Sequence, residues 1–523
     1  MIVWLYGPPG VGKTTAGRAL AHRLNRPFVD TDALIEVRSG LTVAEFFDRR
    51  GEHEFRQAEA GAIAAQAVGD GAVVALGGGA LLDPAGREVA ERAGVVISLT
   101  ASPETLGLRL GAGAHTRPLV SHQDEGALTR LLAARALHYA SFPEQLDTDG
   151  LTPGEAAARV ADLLVPRTLS IRSPGLSHDV IVGYGLLERL PALLGERTLS
   201  RPAVVVTDEN VARCLGHRMP AGIPRLAIRP GEVSKTLETV GWLCDRFAAL
   251  GLDRESLVLA IGGGVVGDVA GFAAATYMRG VRWVAVPTTL LAMVDASIGG
   301  KTGVNLPAGK NLVGAFHAPA AVFADPLVLA TLPAAERVAG MAEVVKHAVI
   351  GDVDLLGSLE SEAAFGRAAQ LARAAAVKAR VVEADPFEHG ARAVLNFGHT
   401  IGHAIEAVSG FAVRHGEAVA IGMVAEARLA ERIGVADPGL AARVASVLAH
   451  VGLPTAWSGA DAPTLRRAMQ TDKKRSRGTL RFALPVRLGR VDPRVQVAEA
   501  DLMHALASVS DEARGLPRQE HSG

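Results

Sequence analysis

The sequence predicts two α/β units built on mainly parallel sheets, the second followed by a mostly helical region. Three observations lead there. Residues 1 to about 165 alternate short Val/Ile/Leu runs with Ala/Arg/Glu-rich helical stretches, and the alternation resumes from about 179. A glycine-rich turn follows a strand-length apolar run twice, at Gly7–Thr14 and at Gly262–Asp268. At 523 residues the chain is too long for one core, so two or three domains are expected.

In the first unit, 1–165, the strand candidates are Ile2–Tyr6, Pro27–Asp30, Ala72–Leu76 and Val95–Leu99. Strands alternating with helices bury both sheet faces, which is the parallel arrangement. Residues 166–178 carry prolines, serines and a glycine without apolar periodicity and read as a linker. The second unit, 179–325, has strands at Ala203–Thr207, Leu257–Ile261 and Trp283–Val286. Beyond 326 long helical patterns take over, such as Ala363–Glu383 and Gly416–Ile433, giving a helical region over 326–510. The polar residues 511–523 read as a disordered tail. Each half has its own strands and apolar content, which predicts that the two fold and work separately.

Lys and Arg number 54 and Asp and Glu 55, so no global field recruits nucleic acid or anionic lipid and anion binding must be local. Only Cys214 and Cys244 occur, which excludes a disulfide framework or a thiolate zinc site and suits a reducing cytoplasm. The N-terminal run is too short and lacks the basic flank of a secretory signal. Arg279 and Arg282 interrupt the apolar stretch 271–300, so no membrane span is expected.

Gly7-Pro-Pro-Gly-Val-Gly-Lys-Thr14, between a strand and a helix, is a phosphate-binding loop. Its glycines, Gly10 and Gly12 among them, let backbone N–H groups curl around phosphate oxygens. Lys13 reaches the β/γ-phosphates and Thr14, with Thr15 beside it, offers a hydroxyl to Mg²⁺. The loop alone leaves kinase, GTPase and ATPase open. Asp30 and Asp32, two apart at a strand end, can serve a metal shell and an acceptor hydroxyl from one side. Gly77–Gly79 ends a strand with no Walker-B aspartate, so the magnesium carboxylate must come from elsewhere. Thr116-Arg117-Pro118 suits a mobile lid that brings an arginine to the phosphates.

With Glu54-Phe-Arg56 and Arg135 ahead of Tyr139, these features make residues 1–165 resemble shikimate kinase. The resemblance implies ATP and Mg²⁺, with Asp30 supporting the metal and Asp32 holding the acceptor hydroxyl. Arg117 would act on the phosphates. Arg56 and Arg135 would grip the substrate carboxylate, a shape that a guanidinium fork fits, and Gly78 would lend backbone to the same pocket. Two departures stand out. The usual proline before Tyr139 is missing, and the adenine-side segment 147–153 has no basic residue.

The second glycine turn, Gly262, Gly263, Gly264 and Gly267 up to Asp268, is a weak dinucleotide signal by itself. Its context is stronger. Thr288 and Thr289 follow the next strand, and then glycines interleave with Asp295, Lys301, Lys310 and Asn311, as a small anionic, hydroxyl-rich ligand requires. Glu343 and Lys346 lie one turn apart on a helix, and His399 and His403 at i and i+4 share a face. With His415, two histidines and a carboxylate around an open position describe a catalytic zinc site. Spacing leaves open which two of the three histidines ligate.

Residues 179–505 resemble 3-dehydroquinate synthase. The resemblance implies Glu343, His399 and His415 as ligands of Zn²⁺ or Co²⁺, with His403 facing substrate. It implies NAD on Asp208, Asn210, Glu232, Lys235, the Gly262–Asp268 loop, Thr288, Thr289 and Lys310. Asp295, Lys301, Asn311, Lys346, Lys378, Arg392, Asn396 and the pair Lys473/Lys474 would surround substrate, and Arg279 would cross a homodimer interface. The activity so implied is cyclisation of 3-deoxy-D-arabino-heptulosonate 7-phosphate to 3-dehydroquinate, in which NAD oxidises one alcohol transiently and phosphate leaves. The pairing implies a cytoplasmic bifunctional enzyme of the shikimate pathway. Rival readings are a sugar-phosphate cyclase or polyol dehydrogenase behind a gluconate-type kinase or an ATP-sensing module.

Overall fold

The computed structural model describes residues 1–69, 71–111, 126–199, 201–362, 364–471 and 481–515. Strands β1 (Ile2–Tyr6), β2 (Phe28–Asp30), β3 (Val73–Ala75), β4 (Gly94–Thr100) and β5 (Glu144–Asp147) form one sheet in the order β2-β3-β1-β4-β5. Every pairing in it is parallel. The all-buried β1, Ile-Val-Trp-Leu-Tyr, takes the centre because only a central strand is covered on both faces. Its carboxyl end feeds the first glycine turn into helix α1 (Lys13–Leu24). Helices α2 (Thr31–Ser39) and α3 (Val43–Ala67) follow β2, and a Thr42/Glu45 capping box starts α3.

The larger sheet joins β6 (Arg167–Ile171), β7 (His178–Val182), β8 (Pro202–Asp208), β9 (Arg225–Ile228), β10 (Leu257–Gly262), β11 (Arg282–Pro287) and, after the β12 (Lys301–Leu306) and β13 (Gly309–Phe316) hairpin, β14 (Ala321–Ala324). Its order is β6-β7-β14-β11-β10-β8-β9, parallel except for β6. From β8 the chain moves outward to β9, then returns to β10 on the other side and continues through β11 to β14. The sheet therefore has a switch point between β8 and β10, where a crevice opens beyond the strand ends.

A helical layer follows. It contains the Glu343 helix (Ala334–Gly351), the Lys378 helix (Ala368–Ala384), the His399 helix (His399–Val408) and the His415 helix (His415–Arg432). A hairpin of β15 (Arg481–Arg487) and β16 (Arg490–Gln496) is set into it. Among the described residues no helix is long and apolar enough to cross a membrane.

Two expected boundaries differ. Residues 166–178, read as a linker, hold β6, which pairs antiparallel with β7 from Arg167↔Val182 to Ile171↔His178. The polar, mostly exposed strand carries no apolar run because only one of its edges is paired. The last helix, Glu499–Gly515, runs into the stretch read as a tail. Leu502, Leu506 and Val509 dock it on the core and carry the helix past 511.

The halves also touch. One apolar core runs from Val3, Leu5 and Val160 to Ile181, Leu187 and Leu190, and helix Pro84–Ala93 packs on the turn Pro326–Thr331.

Candidate active sites

The first site lies at the carboxyl ends of β1, β2 and β3. Gly12, at φ 96°, turns the loop into α1, a conformation that a side chain would oppose. Lys13 Nζ donates to the carbonyls of Gly7 at 2.8 Å and Pro8 at 3.0 Å, which aims its charge along the loop. Thr15 Oγ1 donates to Gly12 O at 3.0 Å. Thr14 Oγ1 donates to Asp30 Oδ2 at 2.7 Å, while Asp30 Oδ1 caps α2 by accepting from Asp32 N and Ala33 N. Hydroxyl and carboxylate are thus side by side, a hard-oxygen pair suited to Mg²⁺.

The glycine triplet has a steric reason. A Cβ on Gly77 would lie 2.2 Å from Glu59 Oε1 and 2.9 Å from Asp32 Oδ1, and one on Gly79 would lie 2.5 Å from Arg56 Nη1. Bare backbone lets Asp32, Glu59 and Arg56 converge beneath it. Arg56 donates to Glu59 Oε2 at 2.5 Å and to Glu52 Oε1 at 2.8 Å. Burial pushes the Glu59 carboxyl up to about 7, with Arg56 pulling the other way. Arg135 Nη1 and Tyr139 Oη both donate to Gly78 O, at 3.2 and 2.7 Å, and fix the loop from its far side. Arg117 lies outside the described residues.

Sequence reasoning missed two residues here. Glu59 is one buried acid on a charged helix, and a single sequence gives no signal for it. Arg109 brings a basic side chain to the segment 147–153, which has none of its own. It reaches in from helix Pro103–Gly111 and donates to Thr148 Oγ1 at 3.0 Å and Thr148 O at 2.8 Å. It lines the cleft of ≈ 320 Å³ that runs from Gly10–Thr15 to Thr152–Ala156.

The second site starts at the β8/β10 switch point. Asp208 caps helix Glu209–Leu215 through Val211 N at 2.9 Å, and Asn210 Oδ1 accepts from Arg213. Across the crevice, Gly262, Gly263, Gly264, Gly267 and Asp268 line a pocket that extends to Pro287 and Lys301. Thr288 N donates to Gly262 O at 2.9 Å, and Thr289 Oγ1 accepts from Ala292 N at 3.2 Å. Lys235 pairs with Asp268 at 2.5 Å, and Glu232 accepts from Asn305 on the β12–β13 hairpin at 2.8 Å. Asn311, at φ 56°, donates its N–H to Asn305 Oδ1, and Lys310 lies over the Phe411 ring, 3.9 Å from Glu406. The hairpin therefore spans from the dinucleotide side to the histidines.

Asp295 sits on a π-helical turn, Ala292–Ala296, a distortion common at functional sites. Lys378 Nζ donates to Asp295 Oδ1 at 2.6 Å and to its carbonyl at 2.7 Å. Burial would raise the Asp295 carboxyl, yet the Lys378 and Lys346 ammoniums hold it well below its usual range. Burial lowers Lys378 to about 8 against the pull of Asp295. Gly299, at φ 105°, passes so close to buried Arg392 that a Cβ would meet its Nη2 at 2.2 Å. Arg392 and Asn396 belong to the turn Ala391–Asn396, next to the His399 helix. Lys301 reaches Glu388 at 2.6 Å. Lys473 and Lys474 lie outside the described residues.

Beside this lies the metal-ligand set. Glu343 Oε1 is buried and accepts no hydrogen bond, while Lys346 pairs with Oε2. His399 Nε2 stands 3.5 Å and His415 Nε2 3.9 Å from Oε1. A tetrahedral metal with bonds of about 2.0–2.1 Å has ligand–ligand edges of roughly 3.3 Å, so slight closure on an ion meets the geometry. Burial, then Lys346, keep His399 well below its usual pKa and hence neutral, the state a ligand needs. Burial opposes protonation of His415, but the hydrogen bond it donates to Glu406 and the negative charges of Glu406 and Glu343 together outweigh it, and the pKa is raised. His403 stacks edge-on against His399 at 5.4 Å, and with Glu406 and His415 it forms a second ligand-like group. Glu406 and the buried His347, 3.6 Å from Asp295, gave no sequence signal. Arg279 is exposed on a loop where Met278 and Arg279 have φ of 50° and 67°.

The 3-dehydroquinate synthase N-terminal model matches residues 225–339, the 3-dehydroquinate synthase C-terminal model matches 340–475, and the shikimate kinase model matches 9–164. A 3-dehydroquinate synthase of Symbiobacterium thermophilum is 48% identical over 331 residues, 60% of this chain and 92% of the relative. The chain belongs to the 3-dehydroquinate synthase family and carries a shikimate kinase domain at its N-terminal end. Both parts are enzymes, joined in one chain of the shikimate pathway. Among solved structures, 2-epi-5-epi-valiolone synthase from Streptomyces hygroscopicus subsp. jinggangensis 5008, with NAD⁺ and Zn²⁺ bound, is 31% identical at a TM-score of 0.58. That match covers 66% of this chain and 99% of the other. A 2-deoxy-scyllo-inosose synthase with carbaglucose-6-phosphate, NAD⁺ and Co²⁺ is 29% identical at the same TM-score, over 66% and 100% of the two chains. The synthase half shares their architecture.

Proposed function

We propose that residues 1–165 transfer the γ-phosphoryl group of ATP to shikimate. The remainder converts 3-deoxy-D-arabino-heptulosonate 7-phosphate into 3-dehydroquinate with release of phosphate. The observation that carries this reading is the convergence of two complete donor sets in one chain. Thr14 and Asp30 meet at the first glycine turn, with Asp32 and Arg56 beneath the adjoining Gly77–Gly79, and Glu343, His399 and His415 meet beside the Asp295–Lys378 pair.

In the kinase, Lys13 and the loop amides neutralise the β/γ-phosphates, with Arg109 on the adenine side. Thr14 and Asp30 hold Mg²⁺. Asp32 orients the acceptor hydroxyl and takes its proton, while Arg56 and Arg135 grip the carboxylate. In the synthase, the switch-point crevice holds NAD, and Glu343, His399 and His415 hold Zn²⁺ or Co²⁺. When bound, NAD takes up and returns a hydride and the metal polarises the substrate oxygens. Asp295, Lys378, Asn311 and Asn396 orient the hydroxyls, and the buried Arg392 holds the carboxylate.

A cyclase acting on a sugar phosphate without a carboxylate shares this architecture. The buried Arg392 and the 48% identity to a 3-dehydroquinate synthase favour the carboxylated substrate. The exposed Arg279 loop supports a homodimer in which this arginine meets the partner's substrate phosphate. The two small-molecule activities fit a cytoplasmic enzyme. Purified chain is to be assayed for ADP formation with shikimate and for phosphate release from the seven-carbon keto-acid phosphate. Both activities are expected; release of phosphate only from non-carboxylated sugar phosphates would overturn the assignment.

A further inference from the structure

The two ligand-bearing helices are strapped together by carboxylates that cross in opposite directions. From the His415 helix, the fully buried Glu426 accepts Gly398 N at 2.6 Å through Oε2 and Ile401 N at 3.2 Å through Oε1. Those N–H groups open the His399 helix and would otherwise be buried without partners. From the His399 helix, Glu406 Oε2 accepts from His415 Nδ1 at 3.0 Å. Each helix therefore supplies one histidine to the ligand set and one carboxylate to its neighbour, Glu426 to the backbone that opens the His399 helix and Glu406 to the His415 ring.

The glycines make the crossing possible. A Cβ on Gly422 would lie 2.0 Å from Gly398 O, and one on Gly402 would lie 3.1 Å from Ala418 O. The helices approach at backbone distance, which brings Glu426 within reach of the neighbouring helix start. Glu406 in turn leaves His415 Nε2 facing Glu343, because a neutral imidazole that donates its Nδ1–H presents its lone pair at Nε2.

We propose that Glu406 and Glu426 are positioning residues of the synthase metal site. Glu426 fixes the origin, and so the reach, of His399, and Glu406 fixes the tautomer and ring plane of His415. The inference rests on the proposed metal function of Glu343, His399 and His415. Glu406 is not itself a ligand, although His403, Glu406 and His415 also lie close enough to suggest one.

The test uses full-length Glu406→Gln and Glu426→Gln. Zn²⁺ affinity is measured by competition with a chelating dye, and Co²⁺ coordination by its visible spectrum. Kinase turnover and NAD binding report folding of the two halves. Each variant is expected to lose about 10–100-fold in metal affinity while kinase turnover and NAD binding persist and the Co²⁺ band pattern keeps the wild-type coordination number. Should Glu426→Gln lose NAD binding, Glu426→Asp keeps the charge, withdraws it from the N–H groups and gives the same readout. Wild-type affinity in folded variants would overturn the proposal, and a changed coordination number in Glu406→Gln would make Glu406 a ligand. Wild-type protein that binds neither metal would instead overturn the metal reading beneath it.

Discussion

Glu59 is held between two demands. Its carboxylate anchors Arg56, yet it is buried against Asp32 beneath Gly77, and burial lifts it to about 7. Below that value it is protonated, its pull on Arg56 weakens, and the arginine is held less firmly for the substrate carboxylate. kcat/KM for shikimate is therefore expected to rise as pH increases through about 7, and Glu59→Gln should abolish that step while lowering kcat/KM. A pH profile unchanged by the substitution would exclude Glu59 as the titrating group. The residues legible in the sequence, Lys13, Asp30, Asp32, His399 and His415, belong to dense local patterns. Glu59, Arg109, Glu406 and Glu426 are single polar residues on helices, and only the fold aims them at a site.

At the scale of elements, the strands with continuous apolar runs were legible because central parallel strands are buried on both faces. β1, β8, β10 and β11 match expectation to within a residue or so at each end. β5, Glu-Gln-Leu-Asp, and β6, Arg-Thr-Leu-Ser-Ile, are edge strands with polar faces; β5 pairs at long range with β4, and β6 pairs with the next strand but lacks an apolar run to announce it. The glycines of the His399 and His415 helices look in sequence like helix breakers, but they are contact points. Gly422→Ala would drive a methyl into Gly398 O, 2.0 Å away, and the helices would have to separate. A loss of about 1–3 kcal/mol in stability is expected from such overpacking, together with loss of bound metal. Thermal unfolding and metal analysis check this; wild-type values for both would show that the helices can part without cost.

The whole molecule departs from the expectation of two separable halves. Tyr184 Oη donates to Glu144 Oε1 of the kinase edge strand at 2.5 Å and accepts from Ala368 N, which opens the Lys378 helix, at 3.1 Å. All three groups are buried, and the apolar core is continuous across this contact. A kinase fragment ending at 168 would be cut within β6 and would leave Glu144 without Tyr184. Its midpoint of unfolding is expected below that of the kinase in the full chain. Tyr184→Phe should cost about 1–3 kcal/mol by stranding a buried carboxylate. Burial raises the Glu144 pKa, with the Tyr184 bond opposing. The folded state then binds the proton more tightly than the unfolded one, and this group's contribution to stability falls as pH rises from about 4.3 to the raised value. The deficit of Tyr184→Phe should therefore be larger at pH 8 than at pH 5. Equal stability of fragment and full chain, or a pH-independent deficit, would show that the interface is passive.

Packing the halves together does not merge their chemistry, because among the described residues none is shared between the phosphate-loop site and the histidine site. The most direct measurement assays both activities in parallel on full-length Lys13→Met and His399→Ala. Lys13→Met is expected to abolish ADP formation with shikimate and to leave phosphate release within about twofold of wild type. His399→Ala should do the reverse and lose its bound Zn²⁺ or Co²⁺. Loss of both activities in either folded variant, or full phosphate release with a full metal content in His399→Ala, would contradict the account of two separate catalytic sites on one chain.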